Sequence, residues 1–119
     1  MSRVKRGVTA HRRHKKVLAL TKGHRATKHS LYRRAHESML KSLSYAYRHR
    51  RERKGDMRRL WILRISAASR AQGLTYGQFM YGLKKSRVEV NRKMLADMAV
   101  REPESFANLV TIARGKVQE

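Results

Sequence analysis

The chain has 119 residues, with 30 Lys plus Arg against 8 Asp plus Glu, a formal net charge of +22, and no cysteine. That length fits one domain with at most a tail, and the missing cysteine excludes disulfides, thiolate metal sites and a thiol nucleophile. So large a cationic excess makes a compact monomer repel itself and calls for a polyanion, either nucleic acid or an anionic membrane surface.

No stretch approaches the roughly 18 uninterrupted apolar residues of a membrane span. The basic N-terminus lacks the apolar segment of a secretory signal, and its composition continues to residue 59, unlike a removable leader. Residues 1–59 hold 20 Lys plus Arg and 3 acids, net +17, whereas residues 60–119 hold 10 and 5, net +5. All six histidines lie in the first part. This asymmetry predicts a basic helical extension over 1–59 and a small all-α domain over 60–119.

In chain order, residues 1–8 read as an extended arm. Thr9 is expected to cap a short helix to about Thr21, stopped by Gly23. Its apolar content is little more than Val17, Leu18 and Leu20, so it needs a surface to lie on. Residues 30–54 predict a longer helix, capped by Ser30 or Thr27, with a narrow stripe of Tyr32, Ala35, Met39, Leu43, Ala46 and Tyr47. Basic residues cover most of the rest, and Gly55 is expected to kink or break the helix.

The stretch from Asp56 to Arg70 holds the only Trp and the densest apolar run, Leu60 to Ile65. At 100° per residue Leu60, Leu63, Ala67 and Ala71 form one stripe, with Trp61, Ile65 and Ala68 beside it. Ala67 and Ala68 favour helix over strand, and Gly73 supplies a stop. Thr75 and Gln78 fit a capping box ahead of Tyr76, Phe79, Met80 and Leu83. After a loop over 84–87, Asn91 can cap a helix carrying Met94, Leu95, Met98 and Ala99. Pro103 suits the first turn of a last helix that buries Phe106, Leu109, Val110 and Ala113 and closes at Gly115. The only strand candidate, Val88-Glu89-Val90, is too short to found a sheet.

No catalytic constellation emerges: the acids are few and scattered, and no Gly-rich phosphate loop is present. His11 and His14, three apart, sit among Arg12, Arg13, Lys15 and Lys16, which oppose a divalent cation, and no acid completes a shell. No metal or cofactor is therefore expected. Polyanion binding accounts together for the charge, the sparse apolar content and the interleaved aromatics. The candidate RNA-binding residues are Arg3, Lys5, Arg6, Arg12, Arg13, His14, Lys15, Lys16, Lys22, Arg25, Arg33, Arg34, Arg48, Arg50, Arg51, Arg53, Lys54, Arg58 and Arg59, with Lys84 and Lys85 as a second contact beside Arg87. Tyr32, Tyr45 and Tyr47 can stack on bases or pack within the arm. Trp61, Phe79 and Phe106 read as core, with Trp61 anchoring its first layer. A long arm suits a folded RNA better than duplex DNA, whose readers present a recognition helix on a compact fold. A DNA-compacting protein and a membrane-active cationic protein are the alternatives. The second lacks a wide apolar face along its basic helices.

Three stretches resemble the bacterial-type large-subunit ribosomal protein L-twenty family. They are Arg3-Val4-Lys5-Arg6-Gly7-Val8 with His14-Lys15-Lys16-Val17-Leu18; Asp56-Met57-Arg58-Arg59-Leu60-Trp61-Ile62 with Arg64-Ile65; and Gly82-Leu83-Lys84-Lys85 through Asn91-Arg92-Lys93 to Leu95-Ala96-Asp97. The likeness runs in register along the whole chain. The chain departs from the family's usual pattern at His24-Arg25-Ala26, Gly55, Met57 and Ser66. The resemblance implies a cytoplasmic, non-enzymatic constituent of the large ribosomal subunit that binds its RNA directly and organises it early in assembly. Implied partners are large-subunit ribosomal RNA and neighbouring ribosomal proteins, with no membrane and no homo-oligomer. In some bacteria members also repress their own messenger.

Overall fold

The computed structural model describes Arg3 and residues 5–117. Among these residues five α-helices follow one another: α1 (Gly7–Leu20), α2 (Tyr32–Ala71), α3 (Tyr76–Lys85), α4 (Arg92–Arg101) and α5 (Pro103–Val117), with a 3-10 turn at Ala26–His29 between the first two. Among the described residues there is no strand, and Val88-Glu89-Val90 is irregular. The fold is all-α. Packing groups the residues into two units, one up to Arg51 and one from Glu52 onward, and α2 contributes to both.

In the first unit α1 begins at Gly7, two residues before the expected cap. Thr9 lies inside the helix, past the N-cap position at Arg6, and its hydroxyl donates back to the Arg6 carbonyl at 2.9 Å. Ser30 behaves likewise: its hydroxyl donates to the Thr27 carbonyl at 3.3 Å, and the first helical bond of α2 runs from the Ala35 N–H to the Leu31 carbonyl. Both residues satisfy backbone acceptors three positions earlier, a local bond that competes with capping. Gly23 does end the turn after α1, at φ +82°. Among the described residues of this unit the buried ones are Val17, Thr21 and Ala35. Leu43 and Tyr47, expected on the inner stripe of α2, are 52% and 57% exposed.

No break occurs at Gly55, because α2 runs unbroken through it to Ala71. A glycine costs a helix interior about 1 kcal/mol against alanine but, unlike proline, keeps its N–H in the ladder. The helix ends in a Schellman motif, in which the Leu74 N–H bonds the Ser69 carbonyl and the Gly73 N–H the Arg70 carbonyl, both at 3.0 Å. Gly73 supplies the left-handed residue at φ +82°, and Leu74 folds into the core.

The second unit is a packed helical core of Ile65, Leu74, Phe79, Leu83, Leu95, Ala96, Phe106, Val110 and Ala113. Phe79 and Phe106 meet with ring centroids 5.2 Å apart at 42°, the tilted arrangement favoured by ring quadrupoles. Two expectations about α2 are overturned here. Leu60, Leu63, Ala67 and Ala71 are exposed, and the core takes the neighbouring face through Ile65 and Ser69, with Trp61 and Ala68 half-buried beside them. Trp61 therefore packs at the margin, and the two phenylalanines anchor the core. Both stripes are periodic, so only the partners across the interface decide which one is covered.

Local signals in this half hold. Thr75 and Gln78 form the reciprocal capping box of α3, and the Asn91 side chain accepts from the Met94 N–H at 2.9 Å to cap α4. Pro103 opens α5, which packs against α3 and α4. That helix continues past Gly115 to Val117, and Lys84 and Lys85 occupy the last turn of α3 rather than a loop. Met94, expected inside, is 54% exposed, and Ala96 takes the buried place instead.

Candidate nucleic-acid interface

The candidate residues group by element. Arg12, Arg13, Lys15 and Lys16 stand on α1, where 100° steps spread them over an arc of about 160°. Val17 and Thr21, which are buried, and His14 and Leu18, which are half-buried, fall on the opposite side, so the four cations face away from protein. Arg3, Lys5 and Arg6 precede that helix, and Lys22 and Arg25 follow it; all are exposed. On α2, Arg33, Arg34, Arg48, Arg50, Arg51, Arg53, Lys54, Arg58 and Arg59 are likewise exposed.

Among the described candidates only two are in ion pairs, Arg34 with Glu37 at 3.4 Å and Arg59 with Asp56 at 3.5 Å. Such exposed pairs are worth only about 0–1 kcal/mol, so an incoming phosphate competes with them on equal terms. Several cations lie over α2's own rings. Lys41 and Arg48 each sit 5.5 Å from the Tyr45 ring centre, and Arg51 sits 5.1 Å from that of Tyr47. His49 adds a second ring parallel to Tyr45, with centroids 5.7 Å apart. These tyrosines pack within the arm yet remain exposed, at 41% for Tyr45 and 57% for Tyr47.

His14 differs from the rest. It is half-buried, and its ring stacks on Tyr32 with centroids 3.8 Å apart at 23°. Tyr32 in turn leans on His36 at 5.9 Å. The segment between the helices is fastened to α2 by a 2.7 Å hydrogen bond between His24 Nδ1 and Ser38 Oγ. These cross-element pairs were invisible in the sequence, because helical spacing relates His11 to His14 but says nothing of what lies fourteen or eighteen residues away.

In the second unit Lys84 is exposed, and Lys85 donates to the Lys116 carbonyl at 3.2 Å. Arg87 sits just beyond, at φ +56°, in the left-handed position that usually belongs to glycine. The Val88 N–H bonds the Leu83 carbonyl at 3.0 Å and the Arg87 N–H the Lys84 carbonyl at 3.1 Å, a Schellman ending with an arginine at its bend. Among the described residues no group of three His, Cys, Asp or Glu is placed to hold a metal ion.

The fold and its charge define a class: small all-α basic proteins with a helical extension and a packed helical unit. The ribosomal protein L20 family model matches residues 3–109. Large ribosomal subunit protein bL20 of Dehalococcoides mccartyi (strain 195) is 64% identical over 107 residues, 90% of each chain. The protein of the same name from Moorella thermoacetica is 58% identical over 117 residues, 98% of this chain and 97% of its own. That from Thermomicrobium roseum is 59% identical over 114 residues, 96% and 97% of the two. The chain belongs to the ribosomal protein L20 family, and it is a structural, non-enzymatic ribosomal protein.

Proposed function

We propose that this protein is a constituent of the large subunit of the bacterial ribosome, in the cytoplasm, that binds large-subunit ribosomal RNA directly and organises it early in assembly. One observation carries the reading. The arm holds its cations exposed and almost unpaired by acids, on helical segments whose buried apolar residues, among those described, are only Val17 and Ala35. Phosphates supply the missing counter-charge, and the counterions released from RNA drive the association. The division of labour follows the charge: residues 1–59 serve as the RNA-penetrating extension and 60–119 as the folded domain, with Lys84, Lys85 and Arg87 as its own RNA contact.

The alternative from another class is a DNA-compacting protein. Competition at one stated salt concentration, between large-subunit RNA and duplex DNA of equal length, separates them. Displacement by the RNA at much lower concentration is expected. Equal displacement by both polymers would return the DNA reading to first place.

A further inference from the structure

We propose that an open cleft in the arm unit is a binding site for a single unpaired nucleotide of RNA, extruded from its helix. The proposal rests on the RNA-binding reading above and assigns one site within it. The cleft, of about 490 Å³, lies between α1, the segment after it and the start of α2. His11, His14, Lys15, Lys22, His29 and Tyr32 line it, with Leu18 on one wall. Its volume falls in the range of about 300–1,000 Å³ typical of sites for small ligands.

The lining has two kinds of chemistry at once. The stacked His14–Tyr32 pair and Leu18 offer a flat, largely apolar surface, which a phosphate alone does not need. Lys15 and Lys22 are exposed cations at the same cleft, which an apolar ligand does not need. A nucleotide has both halves: a ring to extend the aromatic stack and a phosphate for the ammonium groups. Single-stranded and bulged RNA bases are bound in this way, splayed out onto tyrosine or histidine rings. His29 adds a polar handle. Its Nδ1 donates to the His24 carbonyl at 3.1 Å, which commits that nitrogen and leaves Nε2 for the ligand.

The test is chemical probing of unpaired bases in large-subunit RNA bound by the full-length protein, comparing the wild type with Tyr32→Leu, Tyr32→Phe and the double variant Lys15→Gln/Lys22→Gln. The wild type is expected to shield at least one unpaired base that becomes reactive in Tyr32→Leu, while the protections elsewhere persist. Tyr32→Phe keeps the ring and should keep that base shielded. The double variant, altered only at exposed positions, should expose the same base through loss of its phosphate anchor. Affinity should fall about tenfold to a hundredfold in Tyr32→Leu, the worth of one base stack, without a change in salt dependence. Protections that persist with no base changing in Tyr32→Leu would overturn the cleft and leave RNA binding standing. Uniform loss of every protection in Tyr32→Leu would also overturn it, by making Tyr32 a support for the arm. A wild-type protein that protects no RNA would refute the underlying reading.

Discussion

At the scale of single residues, close approach constrains this molecule more than size does. Gly82 lies on α3 where it meets α5, and a Cβ built there would stand 2.8 Å from both Cα and the carbonyl carbon of Ala113, and nearer still to its oxygen. Those atoms are backbone and cannot swing aside, so the helices would have to separate. Gly82→Ala should destabilise the folded unit by about 1–3 kcal/mol despite alanine's better helix propensity, and thermal melting of the full-length protein reads this as a lower Tm. A Tm equal to or above that of the wild type would mean that the helices are less tightly joined than the structure has them. Gly82 opens one of the family-like stretches, but helical spacing does not reveal its close contact, since its neighbour across the interface lies 31 positions away. Gly73 was readable for the opposite reason: a left-handed helix stop is a local device, and glycine just past an apolar period announces it.

At the scale of elements, legibility divides along the same line. Thr75, Asn91 and Pro103 each act within one turn of their own helix, and each does what its position in the sequence implies. Thr9 and Ser30 mislead because their hydroxyls take the competing local bond to a preceding carbonyl. On α2, the periodicity offers two adjacent apolar stripes, and the covered one is chosen by Phe79, Phe106 and their neighbours, far along the chain. Gly55 shows how a residue type can be overread. Its surroundings are open: a Cβ added there would meet nothing within 4 Å, so no close approach requires a glycine. Gly55→Ala should therefore raise the helicity of α2 and stabilise it by about 0.5–1 kcal/mol, with no loss of RNA affinity. Circular dichroism and RNA titration check the two halves of that statement; weakened binding would show that Gly55 serves as a hinge when RNA is bound.

At the scale of the whole molecule, the charge asymmetry between residues 1–59 and 60–119 is legible before any helix is placed, and the proposal of a polyanionic partner rests on it. What the sequence could not supply was the pairing of distant side chains, such as Tyr32 with His14 and His24 with Ser38, which shapes the arm's surface between its cations. The central claim is that exposed cations of the arm bind RNA phosphates. Arg12, Arg13, Lys15 and Lys16 test it best, because all four are exposed on one helix and none takes part in an ion pair among the described residues. The decisive measurement is the slope of log affinity against log salt for large-subunit RNA, in the wild type and in the variant with all four changed to Gln. At about 0.7–0.9 per phosphate contact, the variant's slope should be shallower by about 3, with weaker binding to matched and mismatched RNA alike. An unchanged slope in the quadruple variant would contradict the account.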